Sequence, residues 1–132
     1  MSLTNAGTTL LAQAAVGAAY TPFNAANANI GVGDSTTAFA KTQTGLQASS
    51  NTYFQPMDSG YPTQSGTTLV FQATFGLSVA NFAWQEIGVF NAPASAGTPG
   101  AGTMLNRFLQ SVGTKVSSQS WKLVVTVTVS NP

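Results

Sequence analysis

The chain has 132 residues, 43% of them hydrophobic and 10% aromatic but only 5% charged, with a formal net charge of +1. One domain of this length buries roughly two thirds of the surface its unfolded form exposes, so the apolar content is enough for a core and excludes a disordered chain. Ordinary soluble domains are roughly one quarter charged; here Ser, Thr, Asn, Gln, Gly and Ala must cover the surface, and the weak repulsion between molecules suits a part fixed in an assembly.

The first predicted element is a helix over about residues 4–17. Thr4 can accept from an orphan backbone N–H as N-cap, Leu10, Leu11, Ala14, Ala15 and Ala18 recur at helical spacing, and Gly17 with Thr21-Pro22 stops it. So short a helix is marginal alone and must dock on something larger. No basic residue precedes its apolar stretch, the first being Lys41, so it is expected as helix rather than export signal, in a chain made and folded in a cytoplasm. No apolar run reaches the ~18 residues of a membrane span.

From residue 28 the period becomes that of strands. Asn29–Gly33 is the first, followed by an Asp34-Ser35 turn. Residues 36–50, around Phe39 and Leu46, fit either a loose helix or an irregular crossover. Thr52–Met57 is a strand interrupted by Pro56, and residues 58–62 are a turn cluster. Leu69, Phe71, Ala73 and Phe75 alternate with Val70, Gln72 and Thr74, the signature of a half-buried strand. In the strand 84–90, Trp84, Glu86 and Phe90 share one side and Gln85, Ile87 and Val89 the other. A Pro, Ala and Gly-rich loop over 91–102 leads to a strand over 104–109. The last strand places Trp121, Leu123, Val125, Val127 and Val129 on one face, with Lys122, Thr126 and Thr128 on the other. The expected fold is mainly β: a single antiparallel β-sandwich-like domain over residues 1–132, its β part at about 28–130, with a short N-terminal α-helix.

Antiparallel pairing of 84–90 with 103–109 would set Phe90 opposite Thr103 and Glu86 opposite Arg107. A cross-strand ion pair of this kind contributes about 0.2–1 kcal/mol when partly exposed, whereas burying one charge alone costs several times more. Glu86 and Arg107 are therefore expected to be structural.

Chemistry is hard to assemble from what remains. Histidine and cysteine are both absent, which removes the usual base for a serine nucleophile, the usual zinc ligands and any disulfide frame. Lys41, Lys115 and Lys122 are isolated in sequence and are expected in solvent. Asp34 and Asp58 sit in turns, where Asp caps its own backbone, so no acid–base pair is expected. Gly31-Val32-Gly33 lacks the lysine and the following helix of a phosphate loop, and four scattered cations make no nucleic-acid footprint. The expectation is a chain that is not an enzyme and uses no cofactor or metal. Trp84, Trp121, Tyr53 and Tyr61 could form a sugar platform, with Tyr61, beside Pro62, the best exposed; the strand positions of Trp84 and Trp121 favour the core.

Four segments carry a resemblance: Leu3-Thr4-Asn5-Ala6-Gly7, Ile30-Gly31-Val32-Gly33-Asp34-Ser35, Trp84-Gln85-Glu86-Ile87-Gly88-Val89-Phe90-Asn91 and Gly102-Thr103-Met104-Leu105-Asn106-Arg107. In this order, over nearly the whole chain, they resemble small virion proteins of tailed bacteriophages. They are also similar to the particle-attaching modules of phage tail-fibre proteins, which carry a Glu–Ile–Gly–Leu/Val–Phe strand and then a Leu–x–Arg strand. The resemblance implies a structural virion protein that assembles with copies of itself, commonly as trimers, and with a capsid or tail protein. The chain runs to Pro132 just after its last strand, without a fibrous shaft, which favours a capsid decoration (cement) protein or a fibre base over a whole fibre. A tail-fibre or host-surface (glycan) binding module is the alternative. The helix, through Leu10 and Leu11, the loop 91–102 and Tyr61 are the expected surface contacts, and the helix is expected to be removable without harm to the β domain.

Overall fold

The computed structural model describes residues 2–92 and 102–130. The elements are α1 (Asn5–Ala15), β1 (Asn29–Gly33), β2 (Thr52–Pro56), β3 (Thr63–Ser65), β4 (Thr68–Phe75), β5 (Ala83–Phe90), β6 (Met104–Thr114) and β7 (Trp121–Thr128). The strands form two antiparallel sheets, one ordered β2-β1-β5-β6 and the other β3-β4-β7. Ile30, Val32, Ile87 and Val89 of the first sheet meet Phe71, Ala73, Phe75, Val125 and Val127 of the second in one buried cluster. The fold is thus mainly β and sandwich-like, with one short helix at its N-terminal side.

β4 and β7 follow the predicted alternation. Phe71, Ala73, Phe75, Val125 and Val127 are buried, while the residues between them are exposed or half-buried. Burying such side chains is the main stabilising term here, about 1.5–3 kcal/mol for each large one. Phe75 and the indole of Trp84 meet edge-to-face at 4.7 Å, and Trp84 meets Trp121 at 5.0 Å. The alternation predicted for residues 84–90 breaks at its start: Trp84 joins Ile87 and Val89 in the core, while Phe90 packs on the opposite face of the sheet. The cause is an irregularity between β5 and β6, where Trp84 pairs with Gly113 but Glu86 already pairs with Leu109. Such an irregularity locally disrupts the ladder and re-aims the side chains beside it. Strand β3 carries three exposed polar residues and no apolar alternation, so no hydrophobic period announces it.

The N-terminus is more deeply built in than expected. Thr4 is fully buried and caps α1 by accepting from the Gly7 amide at 2.9 Å. Its own amide donates to the Leu105 carbonyl at 3.0 Å and its hydroxyl to that of Met104. Leu3 forms a single bridge to Asn106, and Leu10 is 6% exposed. The segment thus covers the start of strand β6, and removing it would uncover the Met104 and Leu105 carbonyls. Gly7 lies so close to β6 that a Cβ there would sit 2.5 Å from the Leu105 carbonyl oxygen. Gly7→Ala is therefore expected to cost about 1–3 kcal/mol despite the better helix propensity of Ala, read as a lower midpoint in urea unfolding. An unchanged midpoint would show that α1 docks more loosely.

Candidate functional site

Residues 34–51 form no helix. They run as a strap over the outer face of the β2-β1-β5-β6 sheet, and what they cover is built from glycines and two charges. Gly31 stands opposite Gly88, and Gly33 opposite Glu86. A Cβ on Gly33 would collide with the Glu86 carboxylate, and one on Gly31 would lie 2.8 Å from the Phe54 ring. The missing side chains leave room for Glu86, Phe54 and Phe90 to lie flat on the sheet, with Leu46 of the strap packed on Phe54, Phe90 and Met104.

Arg107 faces Gly88 rather than Glu86, so the register expected from sequence is displaced. The pair forms nevertheless. With no side chain opposite it, the guanidinium crosses Gly88 to the carboxylate two residues along β5, where Nε donates to Glu86 Oε2 at 2.6 Å. Neither side chain is exposed, so the pair is buried rather than half in solvent. Among the described residues, the pair's other hydrogen bonds reach the strap. Glu86 accepts from the amides of Gln47 at 2.9 Å and Ala48 at 2.8 Å, while Arg107 donates to the Thr37 carbonyl at 2.9 Å and to Gln43 Oε1 at 3.1 Å. These added bonds offset the dehydration of two charges, which the pair's mutual attraction alone would not do. They also clamp the strap.

Lys115 is a second correction. Expected in solvent, it is 0% exposed. Its Nζ donates to the carbonyls of Gly76 at 2.6 Å and Val79 at 2.9 Å, and to Asn81 Oδ1 at 2.9 Å, with Leu77 O at 3.4 Å. Burial pushes its pKa below that of ordinary lysine, because the charged form has lost its water. The ring of acceptors replaces that water and ties the β4–β5 connection to the end of β6. Asp58 likewise caps a neighbouring strand rather than its own turn, accepting from the Thr74 amide at 3.0 Å and hydroxyl at 2.8 Å.

The aromatic residues make no common platform. Trp84 is buried, Trp121 meets it edge-to-face, and Tyr53 packs half-buried against Phe75 at the core's margin. Leu10 packs inward and so offers no surface contact; Leu11 and Tyr61 are half-buried. Leu11, Ala14, Tyr20, Pro22, Phe23 and Pro62 help line an open, largely apolar cleft of about 350 Å³ between α1 and the β3–β4 hairpin. Most of the expected contact loop, residues 93–101, lies outside the described residues. Among the described residues no cluster of three or more acids is placed to hold a metal ion, and no helix is long and apolar enough to cross a membrane.

The interior position of Glu86, Arg107 and Lys115 changes the meaning of the charge count. Asp34, Lys41, Asp58 and Lys122 are the only charged side chains left for the outside of the molecule, and they cancel. Comparison with protein-family models, with curated proteins and with solved structures finds no match.

Proposed function

We propose that this chain is a non-enzymatic structural protein of a tailed-phage virion, a capsid decoration or fibre-base module that works by being held in place among copies of itself and a particle protein. The observation that carries the reading is the surface just described. Its charged side chains sum to zero, and it still exposes Val16, Tyr20, Leu77, Val116, Val124 and Val129. A neutral surface with scattered apolar groups gives a free molecule little protection against association, and charged residues are depleted where interfaces are fully buried. The clamped strap and the Lys115 ring add rigidity, which a building block needs. The four segments that resemble phage particle proteins include the strands that build the Glu86–Arg107 pair.

Purified particles of a phage encoding this chain, analysed by mass spectrometry and imaged by electron cryomicroscopy, are expected to contain it. Copies in the hundreds would place it on the capsid and a handful on the tail. Particles that lack it altogether would end the proposal. Because its surface charges cancel, its attachment is expected to survive a change from about 0.05 to 1 M salt, which abolishes long-range attraction between exposed charges. Release by salt alone would point to an electrostatic contact instead.

A further inference from the structure

Each sheet has two edges, and three of the four are guarded. β2 ends in Pro56, which offers no amide hydrogen. β3 has only three residues. β6 is covered at its start, over Met104 to Asn106, by Leu3 and Thr4, and its second half loses regular register opposite β5. β7 is different. It pairs with β4 without interruption from Thr68↔Thr128 to Phe75↔Trp121, and among the described residues no strand lies on its other side. Its run Leu123-Val124-Val125-Thr126-Val127-Thr128-Val129 has no charge, proline or glycine, the composition that pairs most readily with another strand.

The direction of its backbone groups can be assigned. The Val129 amide donates to the Thr67 carbonyl at 2.9 Å, so odd-numbered residues of this strand bond toward β4. By the alternation of an antiparallel ladder, Lys122, Val124, Thr126 and Thr128 then direct their N–H and C=O groups to the open side. Trp121 and Leu123 belong to the inward-facing set yet remain only half-buried, as expected at a sandwich side that is not closed.

We propose that two copies of this chain associate through β7, antiparallel about Val125, so that their β3-β4-β7 sheets become one continuous sheet. In this register Val124 pairs with Thr126 of the second copy and Lys122 with Thr128, using every free group of the strand. The one charge on β7 then faces a neutral residue rather than its own copy, which is why a second copy fits this edge. The contact is two-fold and closes on itself, so it gives a dimer rather than a filament. Only the choice of a second copy as partner rests on the assembly reading above.

The test is sedimentation of the purified full chain at up to about 100 µM, together with backbone amide exchange. Wild type is expected to be a dimer in which the Val124 and Thr126 amides exchange slowly and speed up on dilution. Thr126→Pro removes an open-side N–H in both copies and leaves the β4 ladder intact. It is expected to weaken the dimer about 100-fold or more, with an unchanged far-ultraviolet circular dichroism spectrum. Should that variant not fold, Val124→Lys sets like charges diagonally across the two-fold axis and is expected to weaken it about 10-fold. A wild-type monomer at the highest concentration, a trimer, or fast exchange at Val124 and Thr126 would each overturn the proposal. A monomer in solution that still occurs on particles would refute this contact alone, and a dimer absent from particles would refute the virion role alone.

Discussion

Arg107→Met is expected to destabilise the fold by about 3–5 kcal/mol, because it strands the Glu86 carboxylate in a site with no access to water. With a urea dependence of about 1.5 kcal/mol per molar, the unfolding midpoint would fall by about 2–3 M. The carboxylate would keep the Gln47 and Ala48 amides but lose its counter-charge. The strap would also lose two anchors, at Thr37 and Gln43, so amide exchange over residues 36–48 should accelerate more than in β4 or β7. Glu86→Leu combined with Arg107→Met removes both charges and is expected to recover part of the loss. The recovery is incomplete because the two strap amides then have no acceptor. If Arg107→Met alone leaves the midpoint unmoved, the interior is wetter than the geometry shows.

Lys115→Met is the second large effect, expected at about 1–3 kcal/mol. The methionine fills most of the space of the lysine stem, so the loss comes from acceptors and not from packing. The Gly76 and Val79 carbonyls and Asn81 Oδ1 would be left without their donor. The damage should be local first, with faster exchange at residues 76–82. The pH dependence separates this variant from a simple cavity. The folded chain holds Lys115 at a pKa below the ordinary 10.5, so just below that value it binds fewer protons than the unfolded chain does. Stability from this group therefore rises with pH through the window between the two pKa values and is lost as pH falls through the lower one. That slope should be absent from Lys115→Met. An identical slope in both proteins would assign it to other groups.

Most of the strand architecture could be read from the amino acids, and the reason is alternation. Leu69 to Phe75 and Trp121 to Val127 each set small and large apolar groups on one face, and a period of two has one structural meaning. Thr4 was legible as a helix cap because its hydroxyl stands before a run of helical spacing, but that the same hydroxyl also bonds to β6 was not, since nothing local marks a partner about one hundred positions away. The Glu86–Arg107 contact was legible for a less secure reason. The simple hairpin register that suggested it is wrong, and the pair forms because Gly88 leaves the guanidinium free to lean across. Lys115 gave no signal at all, as its cage consists mostly of backbone carbonyls, which every sequence possesses. The strap was illegible for the same reason: it is fixed by main-chain atoms and by a few side chains of low specificity.

That manner of attachment frees the outermost layer of the molecule from the rules that bind its interior. Gln47, Ala48 and Thr37 are held through amide and carbonyl groups that substitution leaves in place, so most of their side chains can change while the clasp beneath stays closed. Exposed side chains of this strap, such as those of Thr36, Thr37 and Gln47, are thus tolerant sites for a fluorophore, whereas Gln43 and Leu46 are held from beneath, and a lineage could alter the identity of this face without rebuilding the scaffold under it.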